Sequence, residues 1–287
     1  MRYAIISDVH SNIHALKQAL HEIDSLNIDQ IICLGDVVGY NAFPSECIKL
    51  LKEHPKVSRI FCGNHDADVF RFSRLRYGDI IEMSADAYKG IGYSSSKVSD
   101  DEREWLGNLL AQKIVEDPQI PFWCSHYSPD YCTYFGYILN ESHARMAIKE
   151  LQSIGGANLF FFGHTHLPSC AELYNGKFTW DMGRHLDGDT YIISPDAYYL
   201  LNPGSIGQPR NGGVTSFAIF DTEERTVRIQ SFEYNIKEAQ QAVFDAGYSD
   251  SIANKLDPSY DEERIRKQIK KQKYKKRQKA IDASRGK

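Results

Sequence analysis

Five short apolar runs in this chain each break off into a cluster of Asp, His or Asn. "RYAIIS" gives way to Asp8 and His10, and "IDQIICLG" to Asp36. "VSRIFCG" leads into Asn64, His65 and Asp66, "IPFWCS" into His126, and "NLFFFG" into His164 and His166. Helical patterns lie between the runs. "NIHALKQALHEIDSL" spaces Ile13, Leu16, Ala19, Leu20 and Ile23 at helical intervals, "PSECIKLLKEH" opens with Pro44, and "ESHARMAIKELQSI" is stopped by Gly155 and Gly156. Strands that alternate with helices imply parallel pairing through crossover helices, and in such open sheets the site lies beyond the carboxyl ends of the strands. Loops far apart in sequence are therefore expected to converge on one edge.

Residues 67–117, which include "DDEREWLGNLLAQKI", are mostly helical in pattern and read as a cap over that edge. After His166 the pattern changes: "CAELYNGKFTW", "TYIISPDAYYLLNPGS" and "TSFAIFDTEERTVRIQSFEY" read as antiparallel, hairpin-like strands. No repeat or low-complexity linker interrupts the chain. The expectation is one α/β domain with two sheets over residues 1–235, followed by a helical, basic extension over 236–287.

Of 287 residues, 42% are hydrophobic and 25% charged, ordinary values for a globular protein with a sizeable core. The net charge of −4 conceals an asymmetry: Arg264 to Lys287 hold 12 basic residues against Asp282 alone, a net +11 that leaves −15 on the rest. An acidic body is not the footprint of a groove-tracking DNA binder. The tail reads as a solvated polar helix, with contact to RNA, an anionic surface or a partner as the other reading. Six cysteines are scattered without a C-x-x-C pair, as expected of buried reduced thiols in a cytoplasmic protein. No run reaches the roughly 18 apolar residues of a membrane span, and "MRYAIISDVH" lacks the apolar core of a signal peptide.

Carboxylate, imidazole and amide are ligands for a hard-to-borderline metal ion. Asp-x-His and His-x-His are expected to put alternate residues of an extended segment on one face. Gly35, Gly63 and Gly163 permit sharp turns and close backbone approach beside them. Singly, "DVH", "GNHD" or "GHTH" also suits a polar turn; the ordered series at strand ends favours a metal site. His14, His21, His54, His143 and His185 fall outside these loops and read as surface or satisfied residues.

The ordered blocks D-x-H, G-D, G-N-H-D, a lone His and G-H-x-H, with "NPGSIG" from Asn202, resemble the calcineurin-like metallophosphoesterases, and small bacterial members that carry "GDVVGY" in particular. The resemblance implies a four-layer α-β-β-α sandwich with mixed sheets and a dinuclear centre. One metal would take Asp8, His10, Asp36 and His166, and the other Asp36, Asn64, His126 and His164, with Asp36 bridging. Mn and Fe are the expected ions, and Zn, Ni or Co tolerate the same ligands. A cation pair lowers the pKa of a bridging water and supports in-line attack on phosphorus. His65 would stabilise the phosphoryl group or protonate the leaving oxygen, with Asp66 orienting it.

One departure bears on substrate. Protein phosphatases and symmetrical diadenosine tetraphosphatases carry an Arg shortly after "GD", where this chain has Val37-Val38-Gly39-Tyr40-Asn41. Arg210 is expected near the site, where it would reach a phosphate. Tyr127, Tyr131 and Tyr134 in the aromatic loop after His126 offer faces for a base. The leading expectation is hydrolysis of nucleotides, dinucleoside polyphosphates or other small phosphate esters. A phosphodiesterase acting on cyclic nucleotides or nucleic-acid ends is the second reading, and a non-catalytic RNA-associated module the third.

Overall fold

The computed structural model describes residues 1–129, 136–183, 186, 188–210 and 214–260. Tyr131, Tyr134, Cys132, His185 and the basic tail from residue 261 therefore lie outside the described residues.

Two six-stranded sheets form the centre. The first runs β3 (Val57–Ile60), β2 (Gln30–Cys33), β1 (Arg2–Ile6), β11 (Ser216–Asp221), β12 (Thr226–Ser231) and β9 (Thr190–Ile192). The second runs β4 (Gln112–Val115), β5 (Phe122–Ser125), β6 (Leu159–Phe161), β10 (Ala197–Asn202), β7 (Ser169–Tyr174) and β8 (Lys177–Met182). Parallel pairing holds for β3–β2–β1 and for β5–β6–β10, and the remaining pairs are antiparallel.

The period-two alternation of the strands sorts their side chains into layers. Ala4, Ile6, Ile31, Cys33, Phe217 and Ile219 face outward, under α1 (Ile13–Ser25) and α2 (Pro44–Glu53). Tyr3, Ile5, Ile32, Leu34, Ala218 and Phe220 face inward and meet Phe122, Cys124, Leu159 and Phe161 of the second sheet. Phe122 and Phe220 pack edge to face at 5.1 Å. The outer face of the second sheet, with Phe160, Phe162 and Leu200, is covered by Ala144, Ala147, Ile148 and Leu151 of α7 (Glu141–Ile154). This is the α-β-β-α sandwich. Each fully buried Phe, Ile or Leu contributes about 1.5–3 kcal/mol, so the three apolar layers hold the two sheets in fixed relation.

The caps follow the sequence. Asn12 accepts from Ala15 N at 3.1 Å to start α1, and Asn140 accepts from His143 N at 3.0 Å to start α7. One expectation is corrected. "TYIISPDAYYLLNPGS" is no hairpin: β9 joins the first sheet while β10 crosses to the second and pairs parallel with β6. The 67–117 segment is mostly helical and ends in β4, an edge of the second sheet against β5. Its helices are α3 (Asn64–Phe70), α4 (Tyr77–Glu82), α5 (Ala85–Lys97) and α6 (Asp100–Gly107). The chain after β12 continues as α8 (Ile236–Asp245) and α9 (Asp250–Asn254), which pack on each other through Val243, Tyr248, Ile252 and Leu256. Among the described residues no helix is long and apolar enough to cross a membrane.

Candidate metal centre

The strand ends of both sheets meet at one seam. Asp8 and Asp36 follow β1 and β2 of the first sheet; His126 and His164 follow β5 and β6 of the second. Ligand atoms of Asp8, His10, Asp36 and His166 lie within 4.8 Å of one another, as do those of Asp36, His126 and His164. All six residues that compose these two groups, Asp36 being common to both, are buried. Asp36 Oδ2 stands between the groups, 3.5 Å from His10 Nε2 and 3.3 Å from His126 Nε2.

The backbone route to this convergence differs from the expected extended segment. Asp8, His10, Asp36, His164 and His166 have φ of 55°, 47°, 51°, 68° and 60°, in the left-handed region. Such conformations are uncommon outside glycine and cost on the order of 1–3 kcal/mol each unless the surroundings fix them. Here hydrogen bonds fix them: Asp8 N donates to Gly35 O at 3.0 Å, His10 N to Asp36 O at 2.8 Å, and His164 N to Asp8 Oδ2 at 3.2 Å. Gly63 makes the close approach possible, since a Cβ there would collide with the Asp36 carboxylate.

The imidazoles are locked through their outer nitrogens. His10 Nδ1 faces Val38 O at 3.2 Å, His126 Nδ1 faces Leu34 O at 3.1 Å, and His166 Nδ1 faces Gln208 O at 2.6 Å. A carbonyl accepts only, so each Nδ1 carries a proton; Nε2 of His10 and His166 turns a lone pair inward, and that of His126 does so once a cation replaces its proton. Asp8 Oδ1 and Asn64 Oδ1 are buried without a hydrogen-bond partner among the described residues. Buried orphan acceptors at a point where lone pairs converge fit a bound cation, and the nitrogen and oxygen donors suit first-row divalent metals.

Electrostatics agree with that fit. Burial works against charge on Asp36, yet the imidazoles of His126, His65 and His10 around it hold its carboxyl well below the usual range. Burial pushes Asp8 up to about 7, helped by the Asp36 charge. Burial likewise holds His10, His164 and His166 well below their ordinary value, so they are neutral and ready to ligate. His126 behaves oppositely: burial opposes its charge, but the carboxylates of Asp36, Asp8 and Asp66 outweigh it and lift the ring to about 9.

Asn64, His65 and Asp66 form the first turn of α3, with Gly63 at its N-cap, rather than the end of β3. Asn64 lines the cavity shared with His164. His65 is 3% exposed, its ring centroid 4.8 Å from that of His10, and its backbone N donates to Asp36 Oδ1 at 2.8 Å. Burial lowers its pKa to about 4, so the ring is neutral near pH 7. The expectation that Asp66 orients His65 is corrected. Its two oxygens accept from Val38 N at 3.1 Å and Gly63 N at 3.0 Å, tying together the loops that carry Asp36 and Asn64.

A cavity of about 540 Å³ opens from the centre. Asn64, His65, His164 and Arg210 form its floor; Arg71, Met83, Ala87 and Ile91 of the helical segment, with Lys255 and Tyr260, form the opposite wall. Tyr127 reaches it and stands edge-on to His164 at 5.2 Å. Tyr137 of the same aromatic loop stacks on His164 at 3.7 Å, and Tyr40, a ring that was not singled out in the sequence, lies 4.6 Å from His65. Arg210 lies against both Tyr40 and Tyr137. Arg210 lines the cavity from the loop after β10. Asn202 was also missed: its Nδ2 donates to Gly163 O at 2.7 Å and Thr165 Oγ1 at 3.1 Å, holding the "GHTH" turn.

Comparison with known proteins agrees with this geometry. The model of the calcineurin-like phosphoesterase superfamily domain matches residues 1–225. An uncharacterized protein of Methanocaldococcus jannaschii is 30% identical over 248 residues, covering 84% of this chain and 90% of its own. The crystal structure of a metallophosphoesterase from Sphaerobacter thermophilus superposes with a TM-score of 0.69 at 29% identity, covering 89% of this chain and 98% of that one. A hypothetical protein from Pyrococcus horikoshii OT3 shares the fold with the same TM-score at 18% identity, covering 89% and 97%. With the sandwich, the paired Asp/His groups and the family match in agreement, the chain belongs to the calcineurin-like phosphoesterase superfamily and is a metal-dependent phosphoesterase.

Proposed function

We propose that this enzyme hydrolyses phosphate ester or anhydride bonds of nucleotides, dinucleoside polyphosphates or similar small phosphate esters. The observation that carries the reading is the pair of groups sharing Asp36 at the floor of a roofed cavity. Asp8, His10, Asp36 and His166 would hold one cation, and Asp36, Asn64, His126 and His164 the other, with Mn or Fe best suited and Zn, Ni or Co compatible. When bound, such a pair supplies a nucleophile at neutral pH and offsets charge on the phosphoryl group.

The chain's own residues account for the rest. Arg210 points a permanent charge toward the floor and binds phosphoryl oxygens. A neutral His65 donates an N–H to the phosphoryl group or the leaving oxygen as charge develops there. Met83, Ala87, Ile91 and the ring of Tyr127 offer apolar and aromatic surface for an organic group such as a base. The wall that the helical segment and the C-terminal residues build across the cavity would exclude the bulk of a phosphoprotein. Residues 1–235 form the catalytic unit in this reading, and 67–117 its cap. Its free cysteines, with burial raising the thiols of Cys33, Cys47 and Cys124, suit a reducing cytoplasm.

The test is one panel at fixed Mn: diadenosine tetraphosphate, ATP, ADP, cyclic AMP, a phosphopeptide and single-stranded DNA. The first three should lead. A panel led by cyclic AMP or DNA would establish the phosphodiesterase reading instead, and one led by phosphopeptide would overturn the cavity argument.

A further inference from the structure

Tyr40 closes "GDVVGY" and is placed with unusual effort. Its φ is +48° and the residue is 6% exposed, so a bulky side chain sits in a left-handed turn under the roof. Its ring packs on two members of the floor at once, with centroids 4.8 Å from His10 and 4.6 Å from His65. Its hydroxyl faces the Ser84 side chain, and Ser84 is the N-cap of α5, accepting from Ala87 N at 3.1 Å. The same helix contacts the Tyr40 turn along one face. Gly90 lies so close that a Cβ would press on the Tyr40 backbone, and Ser94 Oγ accepts from Gly39 N at 3.1 Å. Residues 87, 90, 91 and 94 are the buried positions of α5, so the face that docks here is the helix's own packing face. Gly39 has φ +98°, and a Cβ there would collide with His65 Nδ1.

His65 itself has few restraints on its ring. Its Nδ1 is buried without a hydrogen-bond partner among the described residues, and Asp66, the neighbour expected to hold it, is committed to Val38 and Gly63. What holds the imidazole is therefore packing against His10 and Tyr40, which also touch each other, the ring centroids standing 4.8 Å (His10–His65), 4.6 Å (Tyr40–His65) and 4.8 Å (His10–Tyr40) apart. A side chain that acts on a developing charge must be held within a fraction of an ångström, and a misplacement of 1 Å costs up to about a hundredfold in rate.

We propose that Tyr40 is the positioning residue for His65: its ring, anchored to helix α5, sets the angle at which the imidazole meets the substrate. This rests on the reading of His65 given above. Tyr40→Ala removes the ring and should lower kcat for ADP about 10–100-fold with KM changed less than threefold and metal content retained. Tyr40→Phe keeps the ring and should recover most of the loss. The deciding measurement is the double-mutant cycle with His65→Ala. If Tyr40 acts through His65, Tyr40→Ala adds less than threefold to the loss already caused by His65→Ala. Multiplying losses would overturn the proposal while leaving His65 in its role. If His65→Ala alone has no effect, the role of His65 falls, and the proposal with it. A merely structural Tyr40 would show itself as a kcat loss that persists in the His65→Ala background together with loss of metal.

Discussion

His10 Nε2 and His166 Nε2 stand 3.0 Å apart, and each ring has its other nitrogen committed to a main-chain carbonyl. Two lone pairs at that distance repel unless a cation or a proton lies between them. Burial favours neither ring taking the proton, since it holds both imidazoles well below their ordinary value. A cation resolves the conflict: nitrogen ligands at about 2.1 Å from a common metal, set roughly at right angles, are about 3 Å apart. The protein is thus prearranged for an ion, and its metal-free form keeps the cost of the arrangement.

Metal removal should accordingly destabilise the fold and not merely silence it. Saturating Mn at a hundred times its dissociation constant stabilises the native state by about 2.7 kcal/mol per site. Thermal melts with chelator and with added Mn should differ by several degrees, and metal analysis should return two ions per chain. Identical melts would mean that the Asp/His groups do not hold metal in the folded protein.

The pH dependence of the metal-free form follows from two histidines shifted in opposite directions. His65 is lowered by burial to about 4, so the unfolded chain takes up its proton first and stability falls as pH drops from about 6.5 toward 4. His126 is lifted to about 9 by the carboxylates around it, so its contribution is full below about 6.5 and is lost as pH rises to 9. The burial-raised Asp66 and Asp8, near 7, oppose the acid-side trend, but His10, His164 and His166 reinforce it. Melting temperature without metal should peak near pH 6.5. With metal bound, His126 must be neutral, and the alkaline decline should shrink. A metal-free profile that keeps rising to pH 9 would show that His126 is not held charged by Asp36.

Gly63→Ala tests the close approach that joins the two groups. The new Cβ would occupy the space of Asp36 Oδ1, which also accepts from His65 N. Overpacking of this kind typically costs about 1–3 kcal/mol. Displacement of a shared ligand should also weaken metal binding at least tenfold. Metal titration by calorimetry and a urea melt measure the two separately; normal affinity in the variant would remove Asp36 from its bridging place.

The ligand positions were legible because Asp and His stand out where apolar strands end, and a two-sheet sandwich brings strand ends together. The local backbone was not. Asp-x-His and His-x-His suggest alternation along an extended segment, but Asp8, His10, His164 and His166 have positive φ, with Asp8 and His10 bonded through the main chain to the loop after β2 and His164 N bonded to the Asp8 carboxylate. Tyr40 was not singled out for a similar reason: a tyrosine in a loop carries no period to show what it packs on. The crossing of β10 to the second sheet was hidden as well, since β9 and β10 are both apolar and only the short "SPDA" separates them.

His65→Ala should keep both metals and lower kcat about 10²–10⁴-fold, the range for a group acting on the leaving or phosphoryl oxygen. His65 has no place in either Asp/His group, although its ring centroid is only 4.8 Å from that of His10. Metal analysis beside turnover of ADP checks the two halves. A collapse of metal content would make His65 a ligand, and unchanged turnover would make it packing.

The last prediction concerns the segment after β12. Tyr248 is 6% exposed, lies between α8 and α9, and brings its ring within 5.1 Å of Tyr93 on α5. Its hydroxyl donates to Asn41 O at 3.4 Å, and Asn41 Nδ2 donates to His10 O at 2.8 Å. Lys255 of the same segment pairs with Asp86 at 3.2 Å, at the start of α5. The C-terminal helices therefore clamp the roof helix to the turn that carries Tyr40, and the wall of the cavity depends on them. Tyr248→Ala should cost about 3 kcal/mol in a urea melt, as loss of a large buried aromatic does, while Tyr248→Phe should cost about 1 kcal/mol. KM for ADP should rise more in the alanine variant than kcat falls, because the loosened part is the binding wall and not the floor, and metal content should not change. A variant with full stability and unaltered KM would show that the clamp is incidental and that residues 236–260 contribute nothing to substrate binding.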